Sequence, residues 1–563
     1  MMSASASIPP GLILMLGAVL VPLCSGTVRS MVVLGIPLVA LWAVWMLPDG
    51  VSLTVPFLVY ELQVVEADAL SRLFGTIFTL MAFGGGLFAL NQKSTLELAA
   101  AFAYSGGAVG VALAGDLITV FIFWEIMAVA STLVVWSAGT PASYRSSMRY
   151  LQVHLAGGVI LMAGVIAHVS ATGSVDFVAM QPNSFGTWMI LIGFLINAGA
   201  PPFSAWLPDA YPEASFSGMV FLSAFTTKTA VYVLIRGYPG AEILIFVGMY
   251  MILYGIIYAL LENDMRRILS YSIVNQVGFM VCGIGIGTVM SLNGAAAHAF
   301  THIIYKALLL MSAGSVLYMT GKRKCTDLGG LFQSMPLTAI CGIVGALAIS
   351  SFPLTSGFIS KSMIAQAAAD EHIMIAWFVL AAGSAGVFLH AGIKFPWFVF
   401  FQKDSGMRPP DPPMNMRVAM VFFAFLCIGL GVWPEPLYAI LPFPVDYAPY
   451  TVSHVVNMLQ LLLFAGLAFF LLLPMMKRTL TISLDFDWFY RVAFPAVVKL
   501  VVATCGPIDR AVRLGTVNGV RRVIIWVFRH HGPESILAAT LPAGSMVLWV
   551  IVVLAMFLVL YFI

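Results

Sequence analysis

Long apolar runs recur from one end of the chain to the other, separated by short polar stretches. A helix of roughly 20 residues crosses the hydrocarbon core of a membrane, which is about 30 Å thick. The runs lack the alternation of apolar and polar residues that strands show, so we predict membrane-spanning helices and not a barrel. About 16 spans fit the pattern: residues 10–24, 31–47, 70–91, 97–114, 116–137, 150–171, 186–203, 215–235, 242–262, 268–287, 292–318, 335–369, 373–401, 415–433, 453–475 and 541–563.

Prolines interrupt two of these spans, in INAGAPPFSAWLPDA at 196–210 and in SSFPLTSGFISKS at 350–362. Because proline lacks an N–H and its ring clashes with the preceding turn, we predict a break in each helix. Broken helices are tolerated inside a membrane where they line a polar cavity. The two breaks therefore indicate where a functional site lies.

The same series of features occurs twice along the chain. Each broken span follows a span with an ionisable residue and precedes a span with a lysine, Lys228 in the first case and Lys394 in the second. We predict two five-helix repeats, at about 97–235 and 242–401. Since five is odd, the second repeat enters the membrane from the opposite side and is inverted, as in transporters that bind ions at the midplane.

The predicted fold is an all-α polytopic membrane protein with a separate C-terminal segment. Residues 484–531 mix basic and apolar residues, which is typical of one or two amphipathic helices on the membrane surface, broken near Gly506 and Pro507. This lateral segment is either a lipid-facing anchor or a strap that braces the bundle or touches a neighbour. The predicted domains are N-terminal helices at 1–96, the core at 97–401, peripheral helices at 402–483, the lateral segment at 484–531 and a final helix at 532–563.

Composition supports a membrane location and argues against several function classes. Of the 563 residues, 61% are hydrophobic and only 9% are charged, and the mean hydropathy is +0.99. The net charge of +3 is scattered over short loops, so we expect no nucleic-acid partner. None of the six cysteines forms a CxxC pair, and we expect neither a bound metal nor a redox cofactor.

Loops that alternate along the chain differ in charge. One set carries basic residues such as Arg266 and Arg267, whereas the other carries acidic residues such as Glu61 and Glu66. By the positive-inside rule the basic loops are cytoplasmic, which places both termini outside.

Ionisable residues lie inside several spans, although each costs about 2.5–3.5 kcal/mol at a helix centre. Glu125 follows three aromatic residues in an apolar span, and Lys228 stands among threonines whose hydroxyl groups can bind an ammonium group or water. We interpret both as ion-carrying residues. The alternatives are a structural ion pair for Glu125 and a side chain reaching the interface for Lys228.

The stretch HAFTHIIYK carries His298, His302 and Lys306 at i, i+4 and i+8, on one face of a helix. Two histidines one turn apart also suit zinc, but no third ligand is evident and the HExxH pattern is absent. A proton relay explains the pattern better, because histidine titrates near neutral pH. Lys361 follows the second proline break and suits an exit, while Lys394 either joins the relay or reaches the interface.

Six motifs together resemble the antiporter-like subunits shared by respiratory complex I, membrane-bound hydrogenases and Mrp-type cation/proton antiporters. The sequence is most similar to the Mrp D-type subunit, over about residues 70–480. The motifs are FWEIM at 123–127, PPFSAWLPDAYPEAS at 201–215, FTTKTAVYVLIR at 225–236, NDMRRILSYSIVNQVGFM at 263–280, HAFTHIIYKALLLMSAG at 298–314 and PLTSGFISKS at 353–362.

The resemblance implies a role for each matching ionisable residue. Glu125 is the glutamate of the first half-channel, Lys228 the bridging lysine and Lys306 the central lysine of the second half-channel. It also implies that His298 and His302 flank Lys306 and that Lys361 is the exit-side residue. One position departs from the family pattern, because Asn197 stands where a lysine usually pairs with the glutamate.

The resemblance implies a proton-translocating subunit of a multisubunit antiporter that exchanges a monovalent cation for protons. We predict that the cation is sodium and that the protein catalyses no covalent chemistry. Its expected partners are other membrane subunits, the lipid bilayer, protons and monovalent cations, and its expected location is the bacterial inner membrane. Two alternatives remain: a proton-pumping subunit of a complex I-type dehydrogenase or membrane-bound hydrogenase, and a structural scaffold with a lapsed channel.

Overall fold

The computed structural model describes residues 8–474, 485–533, 535, 537, 538, 540 and 542–563. Contacts divide the chain into two units, with the boundary after Asp487. The first unit contains nineteen α-helices in its described part: α1 (Pro10–Leu23), α2 (Gly26–Met46), α3 (Ala69–Phe88), α4 (Thr95–Leu113), α5 (Leu117–Trp136), α6 (Pro141–Thr172), α7 (Phe185–Ala198), α8 (Trp206–Ala210), α9 (Gly218–Leu222), α10 (Thr226–Gly237), α11 (Ile243–Leu261), α12 (Met265–Ile286), α13 (Val289–Thr320), α14 (Pro336–Ile349), α15 (Ser356–Asp370), α16 (Met374–Val387), α17 (Met414–Val432), α18 (Glu435–Tyr438) and α19 (Val452–Leu471).

Short helices of other types join or extend these α-helices. Their bounds are Ala89–Asn91, Tyr211–Glu213, Cys325–Asp327 and Leu331–Gln333 for the 3₁₀ segments, and Phe388–Lys394 and Trp397–Phe401 for two π segments.

The prediction of a helical membrane fold is confirmed, with one β-hairpin beside the helices. In the described part of the chain, 14 helical stretches are long and apolar enough to cross a membrane, and three shorter apolar helices, α1, α7 and α14, accompany them. Each of the predicted spans contains a helix.

A β-hairpin lies between α2 and α3, where the sequence analysis placed only an acidic loop. Strands β1 (Gly50–Phe57) and β2 (Tyr60–Ala67) pair antiparallel, with Phe57 opposite Tyr60. The expectation that the chain lacks strand-type alternation is wrong for this segment, because the alternation there is short and interrupted by irregular pairing. The backbone N–H of Gln63 in β2 donates to the carboxylate of Asp116 over 2.8 Å, so the hairpin supports the residue that caps α5.

Both predicted proline breaks are present. The first separates α7 from α8, and Gly199 ends α7 with a φ of 76°. The second separates α14 from α15, and both Ser351 and Leu354 adopt positive φ there, at 61° and 67°. A third interruption was not predicted: the span at 215–235 is divided into α9 and α10 by a turn at residues 223–225.

The two repeats have corresponding helices. The first consists of α4, α5, α6, the broken α7–α8 span and the α9–α10 span, and the second of α11, α12, α13, the broken α14–α15 span and α16 with its π extension. The third helix of each repeat, α6 and α13, is 32 residues long. These two long helices carry most of the buried histidines discussed below.

The second unit is helical in its described part. A π turn at Phe489–Ala493 leads into α20 (Phe494–His531), and α21 (Ala543–Phe562) follows. The predicted break near Gly506 and Pro507 is wrong, because α20 continues through Pro507. The domain boundary predicted at 483/484 lies outside the described residues.

Candidate functional site

Lys306 lies near the middle of α13 with its side chain completely buried. Its Nζ atom has no hydrogen-bond partner among the described residues, and the same holds for both ring nitrogens of His302 one turn earlier. Buried polar atoms are rarely left unpaired without a functional reason. Their nitrogen atoms are therefore available to bind protons or water.

His298 has one neighbour on another helix and one on its own helix, α13. Its Nδ1 lies 3.0 Å from Oγ of Ser360 on α15, and its Nε2 lies 3.3 Å from the hydroxyl of Tyr305. Tyr305 in turn donates to Oε1 of Gln276 on α12 over 3.0 Å. This network joins α12, α13 and α15 and fixes the imidazole of His298 in position.

Lys228 lies in the first turn of α10, immediately after the interruption of its span. Its buried ammonium group donates to the carbonyl oxygen of Ser223 over 2.7 Å and to Oγ1 of Thr227 over 3.1 Å. The turn at residues 223–225 exposes the carbonyl group of Ser223, because an uninterrupted helix bonds each carbonyl to the N–H four residues later. The local break therefore provides the binding site of the lysine.

Lys361 on α15 uses the second proline break in the same way. Its ammonium group donates to the carbonyl oxygen of Ile349, the last residue of α14, over 2.6 Å. It also lies 4.7 Å from the centre of the Phe279 ring, within the range of a cation–π interaction. Lys361 lines a cavity of about 350 Å³ with Gln366 and His454.

The three lysines come from α10, α13 and α15 and converge on the buried histidines. Lys306 interacts electrostatically with both Lys228 and Lys361. His302 interacts with all three lysines. The fold thus brings Lys228, His302, Lys306 and Lys361 within electrostatic range of one another.

His390 is a candidate site residue that sequence reasoning missed. It lies in the π segment after α16, is completely buried, and has no hydrogen-bond partner for either ring nitrogen among the described residues. It interacts electrostatically with Lys306, Lys361 and Lys394. The available signal was the spacing of His390 and Lys394, which repeats the i, i+4 spacing of His302 and Lys306.

Lys394 is buried, and its ammonium group is hydrogen-bonded to three backbone carbonyl groups. Its ammonium group donates to the carbonyl oxygens of Ala259, Leu260 and Glu262, at 3.3, 2.5 and 2.6 Å. These carbonyls lie at the C-terminal end of α11. The role of Lys394 in translocation stays a prediction, and its contacts favour a structural role.

Glu125 lies apart from the lysine cluster, half-buried on α5. Its Oε1 atom is buried without a hydrogen-bond partner among the described residues. The carboxylate contacts α6 so closely at Gly158 that a Cβ atom there would lie 2.0 Å from Oε1. Asn197, where the family pattern has lysine, instead lies 2.8 Å from Nδ1 of His154.

The core of this site lies in the part of the chain that matches a known family. The sequence profile described as "NADH:quinone oxidoreductase/Mrp antiporter, TM" matches residues 114–389. The D subunit of the Na(+)/H(+) antiporter of Alkalihalophilus pseudofirmus is 30% identical over 355 residues, which cover 59% of this chain and 71% of that protein. The chain belongs to this NADH:quinone oxidoreductase/Mrp antiporter family. The resemblance inferred from the six motifs is confirmed.

Other proteins similar to this chain differ from it in length. The A/B subunit of a probable K(+)/H(+) antiporter from Rhizobium meliloti is 28% identical over 400 residues, which cover 66% of this chain and 40% of that protein. A protein in the structure of the Mrp complex from a Dietzia species has the same fold, with a TM-score of 0.69 and 21% identity over 81% of this chain and 100% of that one. Of the candidate proton-binding residues, His390 and Lys394 lie beyond the family match.

Proposed function

We propose that the chain is the proton-translocating subunit of a multisubunit antiporter that exchanges sodium for protons. The observation that carries the proposal is the buried cluster at the centre of the second repeat. There, the side-chain nitrogen atoms of Lys306 and His302 have no hydrogen-bond partner in the part of the chain that the structure describes, and both residues interact with Lys228 and Lys361. The cluster holds groups that bind and release protons, in a membrane interior that otherwise excludes charge.

The magnitude of the interactions suits transfer between neighbouring sites. Two unit charges roughly 10 Å apart interact by about 1.7 kcal/mol at an effective dielectric constant of about 20. That energy exceeds the 1.36 kcal/mol that corresponds to one pKa unit. A proton that arrives at Lys306 therefore lowers the proton occupancy of its neighbours about tenfold without a large movement of the helices.

The order of the proposed line follows the helices. Glu125 serves the first half, Lys228 connects the halves, and His298, His302 and Lys306 form the second half, with His390 beside them. Lys361 leads to the cavity beside α15 and serves as the exit. No step makes or breaks a covalent bond other than the N–H or O–H bond of the moving proton.

Relatives support the choice of ion and of partners. The names of two relatives, from Alkalihalophilus pseudofirmus and Staphylococcus haemolyticus, describe them as the D and A1 subunits of Na(+)/H(+) antiporters. We propose that this chain likewise assembles with other membrane subunits in a bacterial inner membrane and moves sodium and protons. The structural neighbours, which come from multisubunit membrane complexes, support assembly with partners.

Exchange by the purified complex tests this function. The complex that contains the chain is reconstituted into vesicles with a trapped pH dye and an imposed proton gradient, and sodium chloride is added. We expect sodium to dissipate the gradient in parent vesicles and not in vesicles with Lys306→Met. Equal dissipation of the gradient by both preparations would refute the proposal. A response to potassium but not to sodium would mean that the exchanged cation is potassium.

A second function has a specific observation in its favour. "Hydrogenase-4 component B" of Escherichia coli is 25% identical over 424 residues, which cover 65% of this chain and 63% of that protein. Another relative is named as the N subunit of an NADH-quinone oxidoreductase. A proton-pumping component of a redox complex would use the same buried residues. Iron, nickel or flavin in the purified complex would favour this second function, and their absence together with sodium/proton exchange would favour the antiporter.

A further inference from the structure

The position that departs from the family pattern has a polar partner that the sequence analysis did not identify. Asn197, at the end of α7, and His154, on α6, are both buried, with 4% and 1% of their surfaces exposed. Nδ1 of His154 lies 2.8 Å from Oδ1 of Asn197. Since an amide oxygen only accepts, Nδ1 carries the proton and donates it.

This hydrogen bond leaves the other ring nitrogen of His154 free. Nε2 is buried and has no hydrogen-bond partner among the described residues. With Nδ1 protonated, the Nε2 of a neutral imidazole holds a lone pair, so it is the atom that accepts a proton. The ring is held by aromatic neighbours, with ring centres at 4.1 Å for Tyr150 and 4.6 Å for Trp206.

His154, in the first repeat, has a counterpart in the second repeat. Helices α6 and α13 are the third helices of their repeats and both have 32 residues, beginning at Pro141 and Val289. Counted from those starts, His154 occupies the same position in α6 as His302 does in α13. Gly158 likewise corresponds to Lys306, and the carboxylate of Glu125 lies where a side chain at 158 would begin. In the first repeat, a glutamate from α5 thus lies beside the position that a lysine occupies in the second.

Side chains connect His154 to the bridging lysine. Tyr150, in ring contact with His154, has its hydroxyl 2.9 Å from Oγ of Ser131 and 3.4 Å from Oγ1 of Thr226. Thr226 immediately precedes Thr227, whose Oγ1 accepts from Nζ of Lys228 over 3.1 Å. The polar side chains of Tyr150, Thr226 and Thr227 therefore lie between His154 and Lys228 within the first repeat, joined partly by contacts and partly by the chain itself.

We propose that His154 is a proton-binding residue of the first half-channel, alongside Glu125, and takes the place of the lysine that Asn197 replaces. Asn197 orients the imidazole so that Nε2 is free, and Tyr150 and the threonines at the start of α10 lead towards Lys228. This assignment rests on the proposed function, because it requires that the first repeat carries protons.

The first test compares two histidines of one helix. His154→Gln keeps an N–H donor for Asn197 but removes the proton-binding site. His168→Gln changes the partly buried histidine near the C-terminal end of α6 and serves as the control. In the reconstituted complex we expect His154→Gln to lower the exchange rate at least about tenfold. We expect His168→Gln to retain the parental exchange rate, and both variant chains to assemble into the complex normally. Parental exchange by His154→Gln would overturn the assignment.

The second test restores a proton-binding group at residue 197. His154→Ala is combined with Asn197→Lys or with Asn197→Met, two side chains of similar length that fill the space left by the imidazole. We expect the lysine pair to exchange at least about tenfold faster than the methionine pair at equal amounts of assembled complex. Equal rates for the two pairs would mean that His154 only packs between Tyr150 and Trp206, and would overturn the assignment.

These tests separate the assignment from the proposed function. If Lys306→Met abolishes exchange while His154→Gln leaves it intact, the chain is part of an antiporter and the assignment of His154 is wrong. If Lys306→Met also leaves exchange intact, the proposed function fails.

Discussion

The ammonium group of Lys394 lies 2.6 Å from the carbonyl oxygen of Glu262. Two more carbonyls of the same helix end, those of Ala259 and Leu260, accept from the same nitrogen. The last carbonyls of a helix lack partners within the helix, and the end carries a partial negative charge. Lys394 therefore satisfies the C-terminal end of α11 from a different helical segment and ties the first and last spans of the second repeat together.

Lys394→Met should destabilise the protein more than it slows exchange. Hydrogen bonds to charged groups contribute about 1.5–3 kcal/mol each, and the variant removes the ammonium group that donates to three backbone carbonyls. We expect a lower midpoint of thermal unfolding for the purified complex but near-parental exchange per assembled complex. Lys394→Arg is the control, because it keeps the donors. Unchanged stability with lost exchange would instead place Lys394 in the translocation line.

Glu125→Gln should slow exchange while leaving the complex assembled. The carboxylate is half-buried and its Oε1 has no hydrogen-bond partner among the described residues, so the change to an amide removes charge without breaking a contact at that atom. We expect a loss of roughly tenfold or more, the effect of one pKa unit of lost coupling. Quantitative immunoblotting of purified complexes gives the amount of assembled chain. A loss of assembly equal to the loss of exchange would support a structural ion pair.

Lys361→Ala should impair the same exchange by removing the charged group at the exit. The side chain is bound to a carbonyl at the helix break and lines the cavity that also contains Gln366 and His454. Exchange is measured over a range of external pH, because an exit residue controls release into the medium. Gln366→Ala, which changes the cavity wall but no charge, serves as the control. Parental activity at every pH would exclude the exit role.

The breaks show how far local sequence predicts this fold. Prolines at 201, 202 and 353 act on the backbone directly, so both proline breaks followed from sequence. The break before Lys228 has no proline or glycine within residues 222–228. It was missed because no residue type marks it and because one contact that stabilises it is tertiary: the hydroxyl of Tyr104 on α4 accepts from the N–H of Thr226.

Some residues of the candidate site were likewise predictable from local sequence, and others were found only in the fold. The spacing of His298, His302 and Lys306 identified one face of α13, because helical periodicity is a local property. The contact between His154 and Asn197 joins residues 43 positions apart in sequence, and no local pattern records it. His390 likewise became a candidate only when the fold brought it within electrostatic range of Lys306.

The central claim is that Lys306 must bind and release a proton during exchange. Lys306→Met keeps the length of the side chain without a proton-binding group, and Lys306→Arg keeps the positive charge but cannot release its proton in a protein.

The decisive measurement is sodium-driven proton movement in three separate vesicle preparations. They contain equal amounts of the parent complex, the Lys306→Met complex and the Lys306→Arg complex, respectively. The account predicts exchange by the parent alone. Parental exchange by the arginine variant would contradict it, because the site would then need only a fixed positive charge.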